Sequence, residues 1–192
     1  MDKITDSLVE KRRAKEKSDL WFWIMLAVMA GIFTIILALM QFVYVGVQVD
    51  GNSMLPTLNN GDVLVINTKK EVSKNSVIVI DGVKEYLLIK RVVAVEGDEV
   101  EFNEDGFVYI NGQKYSDEFG CADYSNRVSA PFEKKVLGQG EYFFLGDNRS
   151  NSSDGRDYGT CTQEQIMGVV TNWSINNPMV RLIYKNTVIK GD

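Results

Sequence analysis

Histidine is missing from all 192 residues. That absence excludes a Ser-His-Asp triad, a Cys-His pair and any metal site built on imidazole within the chain. A nucleophilic serine here would need another base. At neutral pH the best candidate is a lysine kept uncharged. Cysteine is nearly as scarce, with only Cys121 and Cys161. No Cys-x-x-Cys pair occurs, which points away from metal or thiol redox work. The two sulfurs could form one disulfide or remain two thiols, because sequence does not say whether their Cα atoms approach. A basic stripe is also lacking. The formal net charge is −5, so no nucleic-acid partner is expected.

Charge of either sign is absent from Leu20 to Val47. As a helix this run would extend about 42 Å, enough to cross the hydrocarbon with tilt to spare. It is too long for the apolar core of a cleavable signal peptide, and its end lacks a small-x-small exit. Trp21, Trp23, Phe42 and Tyr44 lie near its ends, where interfacial aromatics sit. It is expected to be an uncleaved anchor in the lipid bilayer. The preceding tail, residues 1–19, carries six cations against five acids, and five of the cations lie just before the apolar run. Lys and Arg near the membrane set orientation, so the tail is expected in the cytoplasm and everything after Val47 outside it. The division expected is therefore 1–19 tail, 20–47 anchor and 48–192 extracytoplasmic domain of the plasma membrane. The last of these is long enough for one domain with a sizeable core.

After Val47 the pattern changes to short β-like runs: Val63–Ile66, Ser76–Ile80, Tyr86–Glu96, Glu99–Phe102, Phe107–Ile110, Glu141–Leu145, Ile166–Trp173 and Val180–Tyr184. Asn103–Gly106 and Asn111-Gly112 read as hairpin turns. Helical character is expected only for about one turn at Thr162–Gln165. The fold class expected is mainly β, one N-terminal transmembrane helix followed by an all-β barrel or sandwich. Gly120–Lys135 has the weakest pattern and reads as a surface loop.

Three stretches could carry chemistry. In Gly51-Asn-Ser53-Met54-Leu-Pro56-Thr-Leu58, the glycine lets the backbone turn and the proline fixes φ. That holds Ser53 on a rigid, exposed bend, although these residues are also ordinary turn formers. In Leu87-Leu88-Ile89-Lys90-Arg91-Val-Val-Ala-Val95, two cations interrupt an apolar strand. Alternation places Lys90 with Leu88, Val92 and Ala94, and Arg91 with Ile89, Val93 and Val95. A lysine facing apolar surroundings or a cleft loses hydration of its charged form, and its pKa falls. Otherwise the strand lies at an edge and both cations reach water. Gly146-Asp147-Asn148-Arg149-Ser-Asn-Ser152-Ser-Asp154-Gly-Arg156-Asp-Tyr-Gly159 is a dense polar loop. It could be a solvated turn or a fully paired buried network.

Taken together, in this order and behind an anchor, these stretches resemble the type I signal peptidases, the membrane-bound Ser-Lys family. Gly51-x-Ser53-Met54-x-Pro56-Thr57-Leu58 is similar to the nucleophile box, and Gly61-Asp62 to the short box after it. Lys90-Arg91-Val-Val-Ala-Val-Glu-Gly97-Asp98 is similar to the box of the base, and Gly146 to Gly159 to the last box. The short spacing between the last two looks like the compact Gram-positive members. The resemblance implies a serine endopeptidase that removes signal peptides from exported preproteins after a small-x-small motif. It implies no metal or organic cofactor, and places the protein export machinery nearby.

The resemblance makes Ser53 the nucleophile and Lys90 the base, with the Ser152 hydroxyl orienting the lysine. A carboxylate beside Lys90 would raise its pKa, so Asp147 and Asp154 are expected to pair with Arg91 and Arg156 instead. Gly51 stands where some members have a serine that donates to the oxyanion, so that donor must come from elsewhere. Met54, Leu58, Leu88 and Ile89 are implied as substrate-pocket walls, or equally as ordinary core. Two rival readings stay open: a membrane-anchored β binding module without activity, and a Ser-Lys autoprotease of the repressor-cleaving type.

Overall fold

The computed structural model describes residues 2–191 apart from 41, 84–85, 103–106, 117, 120–131, 176 and 185–188. It divides into two units, residues 1–42 and 43–192. The first is one helix, α1 (Asp2–Met40). By length and composition its stretch Leu8–Met40 could cross a membrane. The polar tail is thus continuous with the apolar helix.

The apolar run does not stay helical to Val47, as expected of the anchor. Its last residues open the first strand, β1 (Tyr44–Val49). Val45, Val47 and Val49 alternate there, and β-branched residues suit an extended chain. Val47 and Val49 are buried in the core of the second unit. An apolar count alone does not separate membrane helix from buried strand.

The second unit holds two sheets among the described residues. The strands are β1, β2 (Val63–Asn67), β3 (Val77–Ile80), β4 (Leu88–Ala94), β5 (Glu99–Phe102), β6 (Val108–Ile110), β7 (Gln113–Lys114), β8 (Phe132–Val136), β9 (Glu141–Leu145), β10 (Thr160–Thr162), β11 (Ile166–Val170) and β12 (Ile189–Gly191). The larger sheet runs β10-β9-β4-β3-β11-β2-β1-β12, and the smaller β7-β6-β5-β8. All pairs are antiparallel except β1 with β12. The mainly β class inferred from the sequence is the class observed.

Alternation sorts the core. Leu64, Ile66, Val77, Val79, Ile89 and Val170 fill one face of the large sheet together with Val47 and Val49. Val63 and Val65 point the other way and pack on Val180. Phe143, Leu145, Val93 and Ala94 join Val100, Phe102 and Val108 in a third cluster between the sheets. Asn111 and Gly112 turn β6 into β7 with φ of 53° and 74°, the left-handed pair that a two-residue hairpin needs.

Some expectations do not hold. Val180–Tyr184 is not a strand. It lies in a helix, Pro178–Tyr184. Pro178 is suited to the first turn, where no N–H is required, and the Asn177 side chain accepts the Met179 N–H at 3.0 Å. Val180 and Tyr184, four residues apart, then share the face packed on β1 and β2. A second short helix, Gly155–Tyr158, sits inside the polar loop. In chain order these helices are α2 (Gly155–Tyr158) and α3 (Pro178–Tyr184). The single turn expected near Thr162–Gln165 is a 3₁₀ turn at Gln163–Gln165. The loop expected at Gly120–Lys135 gives way to β8 from Phe132. The rest of that loop, Cys121 and the Asn103–Gly106 turn lie outside the described residues. Cys161 is a buried free thiol.

Candidate active site

The segment holding Ser53 is an excursion between β1 and β2. Val49 and Gly61 close its base, with Val49 N–H donating to Asp62 O at 2.8 Å and Gly61 N–H to Val49 O at 2.9 Å. That is what Gly61-Asp62 does locally. Inside the excursion Gly51 has φ of 120°, a backbone that side chains resist. The Leu58 N–H donates to Met54 O at 2.9 Å and makes one tight turn. Met54 and Leu58 are buried among Val47, Leu64, Val79 and Ile89. They are plugs that fasten the turn to the concave core. Ser53 is only 9% exposed, so the bend is less open than the sequence suggested.

Three strands separate β1 from β4 in the sheet order. The sheet must therefore curl for the Ser53 turn to meet β4, and it does. Lys90 Nζ lies 2.8 Å from Ser53 Oγ and donates to Ile89 O at 3.0 Å. Lys90 is 1% exposed. β4 is not an edge strand with both cations in water. It lies between β3 and β9, and all seven of its residues are buried. Leu88 and Val92 belong to one core cluster and Ile89 to another, as alternation requires. Val93 and Ala94 break the pattern by sharing a cluster, because the register with β9 shifts between Val92 and Ala94.

That register explains the second cation. Arg91 sits opposite Leu145, and the chain turns into the polar loop at the next residue. Asp147 therefore arrives beside Arg91. Arg91 donates from Nε to Asp147 Oδ1 at 2.8 Å and from Nη2 to Oδ2 at 2.6 Å. The Thr57 hydroxyl donates to the same Oδ2 at 2.5 Å, tying the serine turn to this pair. Asp154 caps α2 and takes Arg156 in the same two-pronged way, Nε to Oδ1 and Nη2 to Oδ2, both at 2.8 Å. It also accepts the N–H of Gly146 at 3.0 Å and of Arg156 at 3.2 Å. The loop is thus a buried network rather than a solvated turn. Asp147 and Asp154 are each engaged by an arginine, which bidentate geometry makes strong.

Two further contacts join the loop to the serine turn. Asn148 N–H donates to Ser53 O at 2.9 Å, and Asn148 Nδ2 donates to Asn52 O at 3.0 Å. Gly146 runs so close that a Cβ there would meet Ser152 Oγ at 2.1 Å and Ser53 O at 2.6 Å. Asn148, Thr57 and the buried Arg149 belong to the site and were not singled out from sequence. Their signal was position within the motif; the partners of Asn148 and Thr57 are remote in the chain, whereas Arg149 donates to Gly146 O three residues away.

Ser53 and Lys90 open into a cleft of about 330 Å³ lined also by Asn52, Ser150, Asn151, Ser152 and Ser153. Ser152 lines the same cleft as Lys90, and its buried Oγ makes no hydrogen bond among the described residues. Met54, Leu58, Leu88 and Ile89 do not line this cleft. All four are buried core, the first two because they fasten the serine turn. Among the described residues no cluster of acids, cysteines or histidines could hold a metal.

The family model described as signal peptidase, peptidase S26, matches residues 20–174, and the chain belongs to that family. Signal peptidase I V of Bacillus subtilis is 28% identical over 172 residues, 81% of this chain and 98% of that protein. Signal peptidase IB of Staphylococcus aureus is 30% identical over 173 residues, 81% of this chain and 89% of that one. A crystal structure of a signal peptidase I from Enterococcus faecalis superposes with a TM-score of 0.43 at 27% identity. It covers 53% of this chain and 98% of its own. The chain is a peptidase of the signal-peptidase family, and its apolar helix marks it as membrane-anchored.

Proposed function

We propose that this protein is a serine endopeptidase that cuts signal peptides from exported preproteins after a small-x-small motif, with Ser53 as nucleophile and Lys90 as general base. The observation that carries the reading is the 2.8 Å separation of Lys90 Nζ and Ser53 Oγ in a chain without histidine. A neutral Lys90 takes the Ser53 proton as Oγ adds to the scissile carbonyl. The ammonium formed then gives that proton to the departing amine, and water repeats the sequence to release the acyl group. Ser53 N–H supplies one donor to the oxyanion. A second comes from a backbone N–H or water, since Gly51 has no hydroxyl. Ser152 Oγ swings onto the amine and orients its lone pair.

Burial keeps the scheme workable, because it favours the uncharged amine, and the arginine pairs occupy Asp147 and Asp154. The anchor crosses the plasma membrane with its N-terminus in the cytoplasm. Ser53 follows Met40, the last residue of α1, by 13 residues, a short tether to the membrane from which a signal sequence held beside the export machinery would emerge. The cleavage segment binds as an added strand.

The test is purified full-length enzyme on a peptide or preprotein ending its signal in Ala-x-Ala. Ser53→Ala and Lys90→Ala should each lose ~10³-fold or more in rate with an unchanged melting transition. Lys90→Arg should be equally inactive, since guanidinium does not deprotonate. Wild-type rate should climb between about pH 6 and pH 9 as the amine loses its proton. Normal cleavage by either alanine variant, or a flat pH profile, removes Lys90 and Ser53 from these roles.

A further inference from the structure

β1 is paired on both sides. β2 lies antiparallel along one edge, and β12 lies parallel along the other. The register of the parallel pair is Val47 with Ile189, Gln48 with Lys190 and Val49 with Gly191. β12 is a weak occupant. It makes three residue pairs where β2 makes five, and parallel pairing is slightly the less stable kind. Ile189 is still 41% exposed. A short strand on the rim of a sheet often serves only to cover an open edge. The direction of β12 gives it a second meaning.

β1 begins four residues after α1 ends at Met40, and it ends at Val49, four residues before Ser53. Along the chain it leads from the anchor to the serine. A signal sequence also leads from the bilayer to its scissile bond, N- to C-terminal. Laid along β1 it runs parallel, and its residues upstream of the bond fall opposite Val47–Val49. Added strands draw main-chain hydrogen bonds from such an edge. β2 fills the other edge, so the edge under β12 is the one left. β12 already lies there in the direction a substrate would take, whereas an antiparallel strand would imitate nothing. We propose, on the cleavage reading above, that β12 is a built-in competitor of the substrate. It holds the β1 edge in the resting enzyme and peels away when the cleavage segment adds there. Competition of this kind weakens substrate binding and leaves the chemistry alone, since Ser53, Lys90 and the two Asp–Arg pairs lie on other segments. A strand seated nine-tenths of the time lowers substrate affinity about tenfold.

Ile189→Pro with Lys190→Pro removes two successive N–H groups of the strand and frees the edge. With a peptide whose signal ends in Ala-x-Ala, KM of the full-length variant should fall about tenfold while kcat stays unchanged. Loss of a mere edge cover would leave KM where it is or raise it. Hydrogen exchange on full-length Ser53→Ala, which binds the peptide without cutting it, gives a second readout. Saturating peptide should speed exchange at residues 189–191 while residues 47–49 stay protected. An unchanged or raised KM overturns the proposal, and so does exchange at 189–191 that the peptide slows or leaves alone. A peptide cut at unchanged KM removes the competition and leaves the cleavage assignment standing. A peptide neither cut by wild type nor bound by Ser53→Ala removes both.

Discussion

Charged residues in this protein live in two settings. Around the cleft, Arg91 with Asp147 and Arg156 with Asp154 are bidentate pairs with side chains at most 5% exposed. On the small sheet and its rim, Lys134 with Glu99 and Lys74 with Asp98 pair in solvent. The first kind carries a desolvation cost that a well-packed apolar core would avoid. What that cost supports is position. Asp147 also holds Thr57 of the serine turn, and Asp154 also holds Gly146, which backs both Ser53 and Ser152. Exposed pairs contribute little by themselves, and Asp98 acts more through the Val95 N–H and Asn111 Nδ2 that it accepts at 3.0 and 2.8 Å.

The largest contrast should come from Asp154→Ala. It strands a buried guanidinium and removes the acceptor of two backbone N–H groups, at a cost of about 3–5 kcal/mol. A urea midpoint equal to wild type would break the distinction between the two settings. Next is Gly146→Ala. The new methyl must displace the Ser152 hydroxyl or the Ser53 carbonyl, so kcat should fall by ~10²-fold through misplacement. Its midpoint should fall less than that of Asp154→Ala, and the reverse order would mean that Gly146 serves folding rather than the cleft.

A smaller effect sharpens the solvent side. Glu141 is held at about 2, first by the Lys135 ammonium, then by the Gly138 N–H and the Thr160 hydroxyl. A folded pKa below the ordinary 4.5 contributes stability above 4.5 that is lost as pH falls toward 2. Glu141→Gln should therefore melt lower than wild type at pH 7, and the two curves should converge by about pH 2. Parallel curves would show that the pair contributes nothing. The smallest effect is expected of Lys134→Ala, whose urea midpoint should match wild type within error. A clear drop there would mean that even a solvent pair of the small sheet is structural.

The chain's own residues were enough to read the strand runs from β2 to β6, the Asn-Gly turn, the apolar helix and the Ser53, Lys90 and Asp–Arg pattern. Alternation and turn chemistry act over a few residues at a time, and the absence of histidine is read from composition without any structure. Tertiary structure alone decided the rest. Short apolar runs read alike as strand, helix or anchor, so Tyr44–Val47 and Val180–Tyr184 took their form from the sheet they pack on. Met54 and Leu58 could be pocket wall or core until the curl of the sheet made them plugs. The 2.8 Å between Ser53 and Lys90 spans 37 positions of chain and three intervening strands. Such a distance is set by how far a twisted sheet coils on its core, which no local pattern encodes.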